Sequence, residues 1–191
     1  MKYTPLPKEI YQRNRAKFAA KMAKNAVAIF NANDILPTNA DGTMKFRQNN
    51  DLFYLCGIDQ EETILLLAPD SPNPAWREVL FLRETNDHIA VWEGHKYTKE
   101  EAFAASGIEN IQWLSSFDSI FNSVVNLAER IYLNSNEHLR AGVVVETRDA
   151  RFIKTCKEKY PLHIVERAAP IMHELRGVKE PEEIQQLQVA C

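Results

Sequence analysis

The residues whose types and spacing could do chemistry are concentrated in FRQNNDLFYLCGIDQEE, residues 46–62, where a polar cluster directly precedes an apolar run. Arg47, Gln48 and Asp51 offer a cation, an amide and a carboxylate, which together can bind a polar substrate or form a hydrogen-bonded network. A hydrolytic site would also need a nucleophile with its base, or several convergent metal ligands. The cluster has no evident partner of either kind, so we interpret it as a binding or structural motif.

A second candidate is the aromatic-rich segment VWEGHKY, in which Trp92 and Gly94 precede His95. His95 has the most site-like setting of the five histidines, and the other four are expected to be packed or solvated. Neighbouring glutamates, as at 61–62, 100–101 and 182–183, follow a turn or lie in the first turn of a predicted helix, where acids favour the helix dipole. The sequence therefore predicts no metal site and no complete active site in this chain.

The composition excludes several classes of protein. The 191 residues are 45% hydrophobic and 26% charged, with a net charge of −3, which is typical of a globular domain rather than a nucleic-acid-binding protein. No apolar run approaches the roughly 20 residues of a membrane span, and the N-terminus has no apolar signal-peptide core. We therefore expect a cytoplasmic protein without a membrane or nucleic-acid partner. Three cysteines without a CxxC pair predict neither a disulfide framework nor a zinc site.

Helical and strand patterns alternate along the chain. Residues 8–24, 98–107, 116–129, 147–159 and 168–176 have helical spacing, and another helix opens at Glu180. Strands are predicted at residues 26–30, 51–56, 63–68, 78–82, 88–92, 111–114, 130–133 and 162–165. This alternation predicts an α/β fold with a mixed β-sheet flanked by helices.

The helix that opens at Glu180 begins well and stops early. Pro181 suits the first helical position, and Glu182 and Glu183 suit the dipole of the first turn. Its apolar face has barely started at Cys191, the last residue of the sequence. The segment is either a frayed C-terminal tail or the first turns of a helix that continues in a longer protein. We prefer the second interpretation, with one domain over residues 1–176 and a linker with the first turns of a further helix over 177–191.

Three segments together carry a family resemblance. FRQNNDLFYLCGIDQEETILLL, VWEGHKYTKEEA and PIMHELRGVKEPEEIQQLQVA occur in the order seen in the N-terminal domain of Xaa-Pro aminopeptidases (aminopeptidase P), in the creatinase/prolidase group. The matching motif positions are Arg47, Gln48, Tyr54, Gly57, Gly94 and Arg176. Leu52 and Ile58 stand where the family often has Phe. Ala169 stands where some members have an Arg that approaches the substrate.

The resemblance implies a ribonuclease-H-like fold and a catalytic domain that would follow this chain. That domain has the pita-bread fold and holds two divalent ions, usually manganese, on two Asp, one His and two Glu, none of which lies here. The chain alone is then non-catalytic and binds no cofactor. Its parent protein would be a metallopeptidase that removes the N-terminal residue before proline, with the ions activating water and polarising the carbonyl.

The resemblance also implies a role for this domain and its partners. It would shape access to the cleft of its own catalytic domain, contact the peptide substrate, and help to build a dimer or tetramer. Trp92 would reach a neighbouring subunit's active site, with Asp51 and His95 as further cleft candidates. The alternatives are a binding module of a catalytically inactive pita-bread protein and the N-terminal domain of a prolidase. A self-standing hydrolase of ribonuclease-H-like fold would need carboxylates clustered on central strands, which the predicted strands lack.

Overall fold

A computed structural model describes residues 5–86, 91 and 94–191 of the chain. The first half contains α1 (Lys8–Ala19), β1 (Ala26–Asn31), α2 (Asn50–Cys56), β2 (Ile64–Leu67) and β3 (Glu78–Leu82). The second half contains α3 (Lys99–Ser106), β4 (Asn110–Trp113), α4 (Phe117–Val125), β5 (Arg130–Leu133), α5 (Arg148–Lys159), β6 (Ile164–Arg167), α6 (Ala169–Gly177) and α7 (Pro181–Ala190). None of the described helices is both long and apolar enough to cross a membrane.

The strands form one mixed sheet in the order β4-β3-β2-β1-β5-β6. The central strand β1 pairs antiparallel with β2, where Ala28 faces Leu67, and parallel with β5, where Ala28 faces Tyr132. The pairs β3–β4 and β5–β6 are parallel, and β2–β3 is antiparallel. The prediction of an α/β fold with a mixed sheet flanked by helices is confirmed.

Side chains that alternate along the strands build a separate core on each face of the sheet. Ala28 and Phe30 of β1 face a cluster that includes residues of α1, α2, α3 and α6. Val27 and Ile29 face a second cluster, built by α4 and α5. The six residues of β1 are all buried, which explains why this strand has no polar face in the sequence.

The predicted strand over residues 51–56 is wrong, because this segment is the helix α2. A strand would place Phe53 and Leu55 on one face and Leu52 and Tyr54 on the other. In the structure Leu52, Leu55 and Cys56 are buried together, which is helical spacing. The side chain of Asn49 accepts from the backbone N–H groups of Asp51 and Leu52, so the polar residues before the run cap a helix.

Most other predicted elements are confirmed with shifted ends. The last strand occupies Ile164–Arg167 rather than 162–165, and α1 ends at Ala19 rather than at residue 24. The strand predicted at 88–92 lies, apart from Val91, outside the described residues. The three cysteines are free thiols.

Arg15 of α1 and Gly57, which follows α2, fix how the helices pack. Arg15 is 1% exposed, and its Nη1 donates to the carbonyls of Leu55 (2.9 Å) and Ser106 (3.0 Å) at the ends of α2 and α3. Its Nε donates to Glu78 at 2.9 Å. Gly57 ends α2 with φ of +71°, and a Cβ there would lie 2.4 Å from Tyr11 Cε2. Glycine is therefore required both by conformation and by space.

Candidate functional site

The polar residues of the 46–62 segment lie where β1 and β5 end. Asp51, in the first turn of α2, accepts from Arg176 Nη1 at 2.7 Å and from Asn134 Nδ2 at 3.1 Å. Asn134 follows β5, and Arg176 lies near the end of α6. Asp51 therefore ties together the start of α2, the end of a central strand and the last helix of the sheet region.

Arg47 contributes a backbone contact, because the ion pair of Asp51 is formed with Arg176. The backbone carbonyl of Arg47 accepts from Asn33 Nδ2 at 2.9 Å. This hydrogen bond joins the beginning and the end of the long connection between β1 and α2.

A second carboxyl group, Asp149, lies at the same end of the sheet. Its Oδ1 accepts from Asn31 Nδ2 at 3.0 Å, and its Oδ2 from Asn49 Nδ2 at 3.5 Å. Burial raises the pKa of Asp149 to about 7; the Asn31 hydrogen bond opposes this, and the negative charge of Asp51 adds to it. Asp149 thus links α5, the end of β1 and the cap of α2 through a carboxyl group that titrates near neutral pH.

Gln48 holds the turn that follows α2. Its Nε2 donates to the carbonyls of Ile58 (3.0 Å) and Gln60 (2.8 Å), and its Oε1 accepts from the backbone N–H of Asn49. Gln60 Oε1 in turn accepts from the backbone N–H of Tyr97 at 2.7 Å. The first sequence motif is therefore connected, through one turn, to the segment after Trp92.

Of the second motif, VWEGHKY, the structure describes residues 91 and 94–97. Lys96 forms an ion pair with Glu61, in which both side chains are 11% exposed. His95 is exposed and its Nε2 lies 2.9 Å from Glu101, within the capping box of α3. Gly94 has φ of +79°, a conformation that favours glycine. Trp92 lies outside the described residues.

Tyr54 and Arg176 both join α2 to α6. The Tyr54 hydroxyl donates to the carbonyl of Leu175 at 3.4 Å, one residue before the partner of Asp51. Burial raises the pKa of Tyr54, so its hydroxyl stays protonated as a donor. The structure thus brings Gln48, Asp51, Tyr54 and Arg176 into one network, whereas His95 and Gly94 lie in a separate segment tied to it through Gln60.

Sequence reasoning missed Asn31, Asn134 and Asp149. A pattern for them was present, because each asparagine directly follows a predicted strand and Asp149 lies in the first turn of a predicted helix. The carboxyl ends of neighbouring parallel strands meet at one edge of a sheet, so such residues converge. The sequence pattern does not reveal that β1 and β5 are neighbours in the sheet.

The chemistry of this arrangement is that of a structural network. The carboxyl groups of Asp51 and Asp149 are engaged by amide and guanidinium donors. Within residues 5–86, 91 and 94–191, no group of three or more His, Cys, Asp or Glu side chains is placed to hold a metal ion. The residues that are described here do not fit a dinuclear metal site.

Comparison with known proteins gives the family. The family described as "Aminopeptidase P, N-terminal domain" matches residues 11–132, about two thirds of the chain. The chain belongs to this family. Among curated relatives, Xaa-Pro aminopeptidase of Escherichia coli is 25% identical over 94% of this chain and 41% of its own length. Human Xaa-Pro aminopeptidase 3 is 23% identical over 76% of this chain and 28% of its own length.

Solved structures agree on the fold of this aminopeptidase P N-terminal domain. A Bacillus anthracis structure assigned as an aminopeptidase P superposes with a TM-score of 0.83 at 25% identity, over 94% of this chain and 42% of that one. A Pseudomonas aeruginosa aminopeptidase PepP superposes with a TM-score of 0.76 at 22% identity, over 96% and 41%. The chain spans about two fifths of the length of the bacterial relatives that it matches.

Proposed function

We propose that this chain is the non-catalytic N-terminal domain of a metal-dependent Xaa-Pro aminopeptidase, which removes the N-terminal residue before proline. The single observation that carries the proposal is the match to aminopeptidase P N-terminal domains along the chain, in relatives named Xaa-Pro aminopeptidase that are more than twice as long. The reaction and its two divalent ions, manganese in the proposal, would belong to sequence beyond this chain. In support, Asp51 and Asp149 already accept from amide or guanidinium donors, and the described residues contain no group of three or more possible metal ligands.

The junction at the end of the chain supports a domain boundary near residue 176. Arg176 is bonded to Asp51, and the next helix, α7, has no buried residue. Ile184 and Leu187, on one face of α7, are 45% and 52% exposed. A helix with an exposed apolar face is typical of one that packs against a neighbouring domain. We assign residues 177–191 to the linker and first turns that lead into a pita-bread catalytic domain.

The second part of the proposal concerns access to the cleft and assembly. Trp92 would reach a neighbouring subunit's active site in a dimer or tetramer. The segment that follows Trp92 is held by the Lys96–Glu61 ion pair and by the hydrogen bond from the Tyr97 backbone N–H to Gln60. These contacts would hold the backbone close to Trp92 in position. Each carboxylate oxygen of Asp51 already accepts one hydrogen bond, from Arg176 and from Asn134, which favours a positioning role for Asp51 over a contact with peptide.

The test uses the complete reading frame. We expect an ordered set of two Asp, one His and two Glu after residue 191, two bound metal ions by elemental analysis, and release of Arg from Arg-Pro-Pro. This 191-residue chain should neither cleave that peptide nor bind stoichiometric manganese. A full-length protein without those ligands would instead be the inactive binding module, and cleavage restricted to Xaa-Pro dipeptides would identify a prolidase.

A separate variant tests the role of Trp92. In the full-length protein, Trp92→Ala should lower peptidase activity or shift the oligomeric state measured by analytical ultracentrifugation. Trp113→Ala is the matched control, because it removes a partly buried indole that packs on the core of the same chain. If Trp92→Ala leaves both activity and assembly as in the parent protein, the cross-subunit role is lost while the family assignment stands.

A further inference from the structure

A pocket of about 670 Å³ lies where the end of the β1–α2 connection meets α2. We call it the Arg47 pocket. The side chains in its lining that matter here are those of Lys45, Arg47, Asn50, Phe53 and Asp59. A volume of this size is typical of small-molecule sites in proteins. The network of Asp51 and Arg176 uses neither of the two cations in this lining.

The two cations reach the pocket from the same side of the chain. Over residues 45–48 burial alternates: Lys45 and Arg47 are exposed, whereas Phe46 packs against the core and Gln48 is buried. A period of two places every second side chain on the same side of the backbone. The ammonium of Lys45 and the guanidinium of Arg47 therefore lie together on the side that faces the pocket.

The backbone that carries Arg47 is held in place. Its carbonyl accepts from Asn33 Nδ2 at 2.9 Å. The next residue, Gln48, donates to the carbonyls of Ile58 and Gln60 at 3.0 and 2.8 Å. A charged group on a fixed backbone binds a ligand at a smaller cost in conformational entropy than one on a mobile loop. Arg47 is thus preorganised for a contact that its side chain does not make within the domain.

Both cations are open to a ligand. Among residues 5–86, 91 and 94–191, neither the Arg47 guanidinium nor the Lys45 ammonium has an ion pair or a hydrogen-bond partner. Asp59, a carboxylate in the same lining, forms an ion pair with neither of them. The motif that the sequence singled out at residues 46–62 therefore contains an arginine whose charge is not used by the fold.

An apolar wall stands beside the two cations. Phe53 is half-buried and lies edge-to-face on Tyr11, with ring centroids 6.2 Å apart, so its ring is fixed. The exposed amide of Asn50 adds a hydrogen-bond donor to the lining. This combination suits a ligand that has a doubly charged anionic group at one end and an apolar body at the other.

We propose that the Arg47 pocket binds a small phosphate monoester, with its phosphate on Arg47 and Lys45 and its apolar body against Phe53. A guanidinium donates two parallel hydrogen bonds to a phosphate, and a lysine contributes a point charge. A phosphate dianion neutralises both cations whereas a carboxylate neutralises one, which favours the phosphate. The binding involves no chemical step, and it neither requires nor extends the proposed peptidase reaction.

Protection from acetylation tests the proposal in the full-length protein. Acetylation of Lys45 by N-hydroxysuccinimidyl acetate is followed by mass spectrometry at constant ionic strength. The internal reference is Lys157, an exposed lysine of α5. We expect phenyl phosphate to slow the acetylation of Lys45 several-fold and to leave Lys157 unchanged. Benzyl alcohol, which has the ring without the charge, should protect neither lysine.

Substitutions at residue 47 show whether the guanidinium is responsible. Arg47→Gln should raise the concentration of phenyl phosphate that half-protects Lys45 by about tenfold or more, because a charge-assisted pair of hydrogen bonds is lost. Arg47→Lys retains the charge without the fork and should give an intermediate value. Lys157→Gln, the matched control, removes an equal charge from α5 and should behave as the parent protein.

Three results would overturn the proposal. The first is acetylation of Lys45 at the same rate with and without phenyl phosphate. The second is protection that Arg47→Gln leaves intact. The third is protection by benzoate at a lower concentration than by phenyl phosphate, which would refute the choice of a phosphate. Peptidase activity is not part of this measurement, so its loss or presence bears on the proposed function alone.

The reciprocal measurement examines the second cation. Phenylglyoxal modifies exposed arginines, and phenyl phosphate should slow its reaction with Arg47 but not with Arg167, an exposed arginine outside the pocket. In the Lys45→Gln variant this protection should require a several-fold higher concentration of phenyl phosphate. Protection of Arg47 that is equal in the parent protein and in Lys45→Gln would contradict the arrangement in which both cations hold one phosphate.

Discussion

Asp149 is the residue whose charge state matters most at the end of the sheet. Its carboxyl group has a pKa raised to about 7, mainly by burial, against about 4 in an unfolded chain. The folded state therefore binds a proton that the unfolded state releases between pH 4 and 7. Stability from this group is present below about pH 4 and is lost as the pH rises through 7. Asp149 is thus retained at a cost in stability at neutral and alkaline pH.

The corresponding prediction concerns Asp149→Asn. The amide retains an oxygen that can accept from Asn31 and cannot ionise, so the variant should be more stable than the parent chain at pH 8, by on the order of 1 kcal/mol after allowing for solvent screening. The two should converge below about pH 4, where the carboxyl group is protonated in the folded and the unfolded state. Urea unfolding at several pH values measures this. Asp118→Asn, an exposed first-turn acid of α4, is the control. Parallel pH profiles for Asp149→Asn and the parent would contradict the raised pKa.

Arg15 is the second residue with a disproportionate effect, because its guanidinium satisfies carbonyls at the ends of two helices. Arg15→Leu would leave the carbonyls of Leu55 and Ser106 without this donor, so we expect a loss of about 3–5 kcal/mol in the free energy of unfolding. Arg13→Leu, two residues away on the same helix, removes a solvent-exposed ion pair and should cost less than about 1 kcal/mol. Chemical denaturation of both variants measures the difference, and comparable losses would refute the special role of Arg15.

At the scale of elements, α2 shows where sequence patterns were sufficient and where they were not. The segment has seven residues, and in so short a run periods of two and of 3.6 are difficult to distinguish. The deciding information was local: Asn49 precedes the run and Gly57 follows it, which are a helix cap and a helix stop. Longer elements such as α5, with Thr147 as its cap, were predicted correctly from periodicity and capping together.

The cap of α2 can be tested by itself. Asn49→Ala removes the acceptor for the N–H groups of Asp51 and Leu52, and should lower the free energy of unfolding by about 1 kcal/mol, within a range of 0.5–2. Asn49→Ser retains a capping oxygen and should recover most of that loss, although it also removes the amide that reaches Asp149. Urea denaturation measures both variants. An Asn49→Ser protein as unstable as Asn49→Ala would mean that the link to Asp149, and not the cap, is what Asn49 contributes.

At the scale of the whole molecule, composition and alternation of elements were enough to predict a mixed sheet flanked by helices. The strand order could not be predicted, because hydrophobic periodicity reports which residues are buried and not which strands are neighbours. The convergence of Asn31, Asn134 and Asp149 depends on that order. The sequence therefore indicated only the part of the polar network that lies in the recognised motifs. The part played by α1 in holding the C-terminal helices was hidden for the same reason.

For α7, the contribution of α1 is electrostatic, whereas α6 also packs on the apolar core through Met172. Arg13 and Lys17 lie four residues apart on α1, and Lys21 lies in the turn after it; they pair with Glu182, Glu180 and Glu174 respectively. The three acids lie on both sides of the α6–α7 junction, and α7 has no buried residue of its own. Charge pairs of this kind are individually weak and are screened by salt. The attachment of α7 to the domain should therefore be loose and sensitive to ionic strength.

We accordingly expect amide exchange in α7 of this chain to accelerate between 50 mM and 500 mM NaCl, while exchange in the buried strand β1 stays constant. Arg13→Glu should accelerate exchange in α7 about fivefold at low salt, since it replaces an attraction of roughly 0.5 kcal/mol with a repulsion of similar size. The double variant Arg13→Glu, Glu182→Arg should restore part of the protection; an Arg in the first turn opposes the helix dipole, so recovery is incomplete. Exchange in α7 that responds to neither salt nor charge reversal would show that apolar contacts hold the helix instead.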